Sequence, residues 1–210
     1  VEQGKNSCFK TAADYTNLAR TMVWRNAPQE GFKVLDSALR EFPEAKSDTL
    51  LQVSAAESFV YTKMNKSAEA RRALLTAEKL AEELAGNLPS DLALELAQAH
   101  LMNGNEDKAT AIVKNIVGSH HDNEDMLNNV RTIFKEAGMA QKGESLIEDT
   151  REEIIRLNNE GVKLARDGKI AEAIVYFEKA AEHLPDNKVI NANAAHVLML
   201  RIKDQGVDQE

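Results

Sequence analysis

Cysteine, proline and aromatic residues are scarce in this sequence. Its 210 residues include one cysteine, four prolines and only 5% aromatic side chains. Because Cys8 stands alone, the chain cannot form an internal disulfide, a cysteine-based zinc site or a CxxC redox pair. A reducing compartment is the simpler expectation for such a chain, so we predict a cytoplasmic protein.

Long apolar segments and an excess of positive charge are also missing. No stretch approaches 18 consecutive apolar residues, and the opening residues VEQGKNSCFK contain no hydrophobic segment of the signal-peptide type. We therefore expect no membrane insertion. The formal net charge of -8 repels phosphate backbones, and no run of Lys and Arg is interleaved with aromatics, so nucleic acid is not an expected partner.

Catalytic motifs are absent as well. The sequence has no GxSxG, HExxH, P-loop or GxGxxG pattern. The segment SHHDNED, residues 119–125, groups two histidines with three acids, but adjacent residues on a helix point away from each other. We interpret it as a loop whose acids favour the N-terminus of the next helix. The sequence thus predicts a non-enzymatic protein without a metal or cofactor.

The sequence does contain amphipathic helical segments with a regular spacing of small residues. Hydrophobic residues make up 43% and charged residues 29%, a mixture that together with recurrent alanine favours packed helices over sheets. In a 34-residue unit that starts at Ile154, Gly161 and Ala173 hold positions 8 and 20, where two helices cross closely only if both side chains are small. Gly168 suits the left-handed turn after the first helix, and Pro185 ends the second.

The same spacing recurs along the chain. It defines repeats near 12–45, 51–84, 90–123, 124–153 and 154–187, followed by a terminal helix at 188–203. Position 8 is held in turn by Ala19, Ser58, Ala97, Arg131, Gly161 and, in the terminal helix, Ala195. Asn65 stands where the second repeat would have its turn glycine. The 30-residue spacing between the starts at 124 and 154 leaves no room for a turn, so we predict one long helix from about Ala140 to Arg166.

This pattern resembles the tetratricopeptide repeat, TPR. The resemblance implies an all-α, right-handed superhelix, an α-solenoid of about five helix-turn-helix repeats plus a terminal helix, in a single domain over residues 1–210. It also implies that the first helix of each repeat lines a concave groove through its positions 2, 5, 9, 12 and 13. Applied to this sequence, those positions predict a partner-binding set of Arg20, Trp24, Phe59, Lys63, Gln98, Met102, Asn128, Lys135, Asn158, Arg166 and His196.

Asparagine is frequent in the last three predicted first helices, although it is a mediocre helix former. It occurs at residues 128, 129, 158, 159, 191 and 193. We expect these side chains to reach either the backbone of a bound peptide or one another across the groove, and we expect contact with a ligand above all from Asn158 and Asn193. The alternative for Asn128 and Asn191 is a role as a cap or first-turn residue. Trp24 and Phe59 have an alternative too, as packing residues between neighbouring repeats.

The predicted function is a protein–protein interaction scaffold that presents a groove to a partner peptide or helix. Residues 153–200 resemble the TPR region of bacterial proteins that join a CheY-like receiver to TPR repeats, which implies the output region of a two-component response regulator. One alternative is an assembly chaperone or scaffold for pilus, secretion or envelope proteins. Another is a helical-repeat RNA binder, which the acidic composition opposes.

Overall fold

The computed structural model describes residues 11–84, 88–184 and 187–205, in which there are ten α-helices. The helices are α1 Ala12–Trp24, α2 Pro28–Glu41, α3 Ser47–Lys63, α4 Ser67–Glu83, α5 Ser90–Met102, α6 Glu106–Ser119, α7 Glu124–Glu136, α8 Ala140–Arg166, α9 Ile170–His183 and α10 Lys188–Gln205. No strand occurs within these ranges, which confirms the all-α class. None of the helices described there is long and apolar enough to cross a bilayer.

The turn between the first and second helix of each predicted repeat has the same backbone conformation. The fifteenth residue of each predicted repeat has a positive φ: Asn26 61°, Asn65 58°, Gly104 77°, Gly138 78° and Gly168 75°. This left-handed conformation ends a helix sharply and is open to glycine and asparagine at the least cost. The predicted turn roles of Asn65 and Gly168 are confirmed. The predicted helix stop at Pro185 lies outside the described residues, as does Cys8.

The chain divides into two compact units, Val1–Thr110 and Ala111–Glu210, with the boundary inside α6. In unit 1, α1 packs against α2 and α3, and α3 packs against α4 and α5. The core there is a cluster of Tyr15, Ala19, Leu35, Ala38, Val53, Ala56, Phe59 and Val60. The small residues at the crossings permit this packing; the hydroxyl of Ser58 in α3, for example, donates to the carbonyl oxygen of Ala70 in α4 at 3.0 Å.

Unit 2 is organised by α8, whose bounds confirm the predicted long helix. This helix packs against α7, α9 and α10. Its C-terminal half contributes to a core of Ile154, Leu157, Ala173, Ile174, Phe177, Ala180, Leu184, Ile190 and Val197. Asn187 directly precedes α10 and is fully buried: its side-chain oxygen accepts from the backbone N–H groups of Val189 and Ile190, and its amide donates to the carbonyl oxygen of Gly118. Asn187 thereby links α10 to α6.

The terminal helix α10 ends two residues after its predicted end, and the helix bounds depart most from the predicted repeats at the start of α3. The first helix of the second repeat begins at Ser47, one turn before the expected start at residue 51. Its first turn is polar and partly exposed, so hydrophobic periodicity could not detect it. The arrangement of all repeats in one right-handed solenoid over residues 1–210 stays a prediction.

Candidate functional site

An exposed tryptophan lies beside a lysine and above a buried phenylalanine in unit 1. Trp24 is 55% exposed, whereas Phe59 is 1% exposed, and their ring centroids are 6.3 Å apart at an interplanar angle of 53°. The Lys63 ammonium lies 5.0 Å from the Trp24 ring centroid and 5.6 Å from that of Phe59. We call these three residues the aromatic–lysine cluster. A cation above aromatic rings at an exposed site contributes on the order of 0.5–1 kcal/mol.

Local structure explains how this cluster forms. Trp24 is the last residue of α1, because Asn26 adopts the left-handed turn and Pro28 starts α2. Phe59 and Lys63 are four residues apart on α3 and so share one side of that helix. Because α1 packs on α3, Trp24 at the end of α1 lies beside Phe59 and Lys63 of α3.

Two other residues that were predicted to line the groove have little exposed surface in unit 1. Arg20 in α1 forms a two-pronged ion pair with Glu95 in α5, and the two side chains are only 14% and 15% exposed. Gln98 in α5 is buried, with 4% exposure. Little of either side chain is exposed, and their partner-binding role stays a prediction. Of the predicted unit 1 contacts, Trp24 and Lys63 are the exposed ones, Phe59 is their support, and Met102 is half-buried.

In unit 2 the structure joins two of the predicted asparagines. The side-chain amide of Asn193 in α10 donates to the side-chain oxygen of Asn158 in α8. This is one of the two uses expected of the asparagines as a group, whereas the contact of Asn158 and Asn193 with a ligand stays a prediction. Arg166, in the last turn of α8, and His196, on α10, are both exposed, so their partner-binding role stays a prediction.

Asn128 on α7 is exposed and takes part in a network of charges, and its partner-binding role stays a prediction. Its side-chain oxygen accepts from Arg131 at 2.9 Å, and the same guanidinium binds Glu124 of α7 and Glu144 of α8. Arg151 of α8 donates to Glu124 at 2.6 Å. Hydrogen bonds from Arg151 and then Arg131 lower the pKa of the Glu124 carboxyl. Lys135, the other residue predicted on α7, is exposed.

The histidine-rich segment forms a helix start, as expected. The Asn123 side chain accepts the backbone N–H of Met126 and caps α7, while Glu124 and Asp125 lie in its first turn. Within the ranges that the structure describes, no group of three or more His, Cys, Asp or Glu side chains is arranged to hold a metal ion.

A buried polar group in unit 1 was missed by sequence reasoning. His100 is 2% exposed in α5; its Nε2 lies 3.5 Å from Glu78 Oε1, and its Nδ1 lies 3.5 Å from the Asn105 amide. Lys108 binds the same Glu78 oxygen at 2.5 Å. Burial lowers the pKa of His100, which the Glu78 carboxylate opposes and the Lys108 charge reinforces. The position of His100 among apolar residues of α5 was the available signal.

Comparison with protein-family models, with curated proteins and with solved structures finds no match for this chain. The relationship to TPR proteins therefore stays a prediction from the spacing of its residues.

Proposed function

We propose that this protein is a non-enzymatic protein–protein interaction scaffold that holds a partner peptide or helix, with Trp24 as the main anchor. The observation that carries the proposal is the exposure of this tryptophan above the buried Phe59. Tryptophan buries a large area at a small entropic cost and dominates the energy of many protein interfaces. A rigid support below the ring makes it ready for binding.

The aromatic–lysine cluster also indicates what kind of segment it would bind. Lys63 is exposed, and in the described part of unit 1 its ammonium contacts the two rings rather than a carboxylate. A partner with an apolar side chain against Trp24 and an Asp or Glu within reach of Lys63 would satisfy both groups. The resemblance of residues 153–200 to response-regulator TPR regions supports a signalling partner by sequence alone.

The chain offers a direct probe, because Trp24 is its only tryptophan. We suggest titrating the whole protein with short synthetic peptides that carry Leu and Phe with either Asp and Glu or Lys and Arg. The acidic peptides should blue-shift the Trp24 emission in a saturable manner, and the basic peptides should not. Lys63→Met, which keeps the apolar stem, should weaken the acidic peptides by about fivefold, in line with one exposed charge pair.

The matched control is Lys79→Met, which removes an exposed lysine from α4. It should leave the titration unchanged. Equal response to acidic and basic peptides, or no saturable change in emission with any of them, would exclude the aromatic–lysine cluster as the binding site.

A further inference from the structure

The outer side of α10 carries an uncovered apolar stripe. Ala192, Ala195, Met199 and Ile202 follow each other at spacings of three and four residues, which places them on one side of the helix. Met199 is 61% and Ile202 49% exposed, and both alanines are exposed too. We call these four residues the outer stripe; Leu198, 41% exposed, borders it.

The opposite side of α10 is already used. Ile190 and Val197 are 0% and 3% exposed and belong to the core of unit 2. The helix is therefore apolar on two opposite sides, unlike a surface helix with one apolar and one polar side. A helix of this kind is normally covered on both.

The other helix pairs of this chain show what covers the equivalent side. Ala195 holds position 8, and three residues at that position contact the following helix. These contacts are Ala19 with Gly31, Ser58 with Ala70, and Gly161 with Phe177. In each case a small residue lets an antiparallel amphipathic helix approach. Among the described residues, no such helix follows α10.

The charged residues of α10 indicate what kind of helix would cover the outer stripe. The sequence of α10 contains one acid, Asp204 near its end, although the chain has 34 acids in all. Its basic residues are Lys188, Arg201 and Lys203, of which Lys188, four residues before Ala192, and Lys203, four residues after Met199, lie on the side of the outer stripe. A second copy of α10 would bring two more lysines, the equivalents of Lys188 and Lys203, to the same interface, which like-charge repulsion disfavours. A helix with acidic margins would instead be complementary.

We propose that the outer stripe of α10 binds an acidic amphipathic helix from a partner protein, antiparallel to α10 and with a small residue opposite Ala195. The apolar side of that helix covers Met199 and Ile202, and its acids face Lys188 and Lys203. This site involves other helices than the aromatic–lysine cluster, so each of the two proposals stands independently of the other.

The probe is a fluorescein-labelled amphipathic peptide of about 18 residues, long enough to hold helical structure, with Leu and Ala on one side and Glu on its flanks. Two matched peptides replace every Glu by Lys, or the central Ala by Leu. Anisotropy titrations with the whole protein should give a dissociation constant on the order of 100 µM for the acidic peptide, a weak affinity because the peptide loses conformational freedom on binding. Both matched peptides should bind at least about fivefold more weakly.

Variants of the protein test the same contacts. Met199→Glu should reduce acidic-peptide affinity by about tenfold or more, and Ala195→Leu should do so by blocking close approach. Both positions are exposed, so the melting temperature of the free protein should not fall. Ala68→Leu enlarges an exposed alanine on α4 and should leave peptide affinity unchanged.

Two results would overturn the proposal. One is equal affinity for the acidic and basic peptides, or no saturable binding of either. The other is sedimentation evidence that the protein alone dimerises and that Met199→Glu abolishes the dimer, since a second copy would then occupy the stripe.

Discussion

The ring of Phe177 lies directly against the backbone of Gly161, where α9 crosses α8. A Cβ added to Gly161 would lie 2.3 Å from Phe177 Cζ, well inside any real contact distance. Phe177 is completely buried in the core of unit 2, so the ring has no room to withdraw. The missing side chain of Gly161 is thus a condition for the pairing of these two helices.

Gly161→Ala should therefore destabilise the protein by about 1–3 kcal/mol, the range for overpacking a core, despite the better helix propensity of alanine. Chemical denaturation measures this. Ser145→Ala, at an exposed position of the same helix, should be neutral or slightly stabilising. Adding Phe177→Leu to Gly161→Ala should recover part of the loss, and strictly additive effects would contradict the clash.

The hydrogen bond between Asn193 and Asn158 should show coupling in a double-mutant cycle. Because the two amides bind each other, each alanine variant loses the same interaction, and we expect a coupling of about 0.5–1.5 kcal/mol. Urea unfolding of the two single variants and of the double variant provides the number. Full additivity would mean that the pair is open in solution and available to a ligand.

Arg20→Ala should lower the stability of the protein, because Arg20 is the ion-pair partner of Glu95. It leaves the largely buried Glu95 carboxylate without its main partner, at a cost of about 2–4 kcal/mol after allowance for partial exposure. The double variant Arg20→Met with Glu95→Met should regain most of that loss, because no buried charge remains. Thermal and urea unfolding distinguish the two, and equal loss in both would contradict the assignment.

The lowered pKa of His100 predicts a loss of stability toward acid. In the folded protein the ring resists protonation, whereas the unfolded chain takes up a proton near pH 6.5. Stability should therefore fall as pH decreases below about 6.5, down to the lowered folded-state pKa. His100→Gln should reduce the change in the urea midpoint between about pH 7.5 and 5.5. His196→Gln, at an exposed position, should leave that change as it is in the wild type.

Glu57 on α3 should behave in the opposite sense. Burial, and secondly the nearby Asp36, raise the pKa of its carboxyl, so the ionised form at neutral pH disfavours folding. The stability contributed by the protonated form is lost as pH rises through the raised pKa. Glu57→Gln should be more stable than wild type at pH 7, with the difference vanishing near pH 4, whereas Glu82→Gln at an exposed site should show no such trend.

Much of the local structure could be predicted from the sequence, because the spacing of residues along a helix and the residue types of a turn are local properties. The short distance between the starts at residues 124 and 154 was enough to predict α8, and turn residues such as Asn65 marked the ends of helices. Contacts between residues that are far apart in the sequence could not be predicted from spacing and turn residues. Arg20 and Gln98 hold positions expected to face a groove, yet with α1 and α5 packed on α3 the Gln98 side chain is buried and only 14% of the Arg20 side chain is exposed.

The contacts of Arg131 on α7 are a second case that the spacing of residues could not predict. Arg131 stands where a small residue was expected, and the close approach is made instead by Gly143 against Phe134, with a distance of 2.7 Å from an added Cβ to the Phe134 Cβ. The guanidinium is then directed to Glu144 and Glu124. Spacing alone could flag this repeat as unusual but could not say which residues would replace the missing contact.

Helix α8 is shared by two successive helix pairs, and this has a consequence for how unit 2 unfolds. Its 27 residues extend about 40 Å without a hinge. Fraying of the α7 side or of the α9 side removes partners from the same continuous rod, so neither pair can open far without weakening the other. Amide hydrogens around Thr150 and Ile154, at the middle of this rod, should exchange only through the largest opening of the unit and so report its cooperative stability.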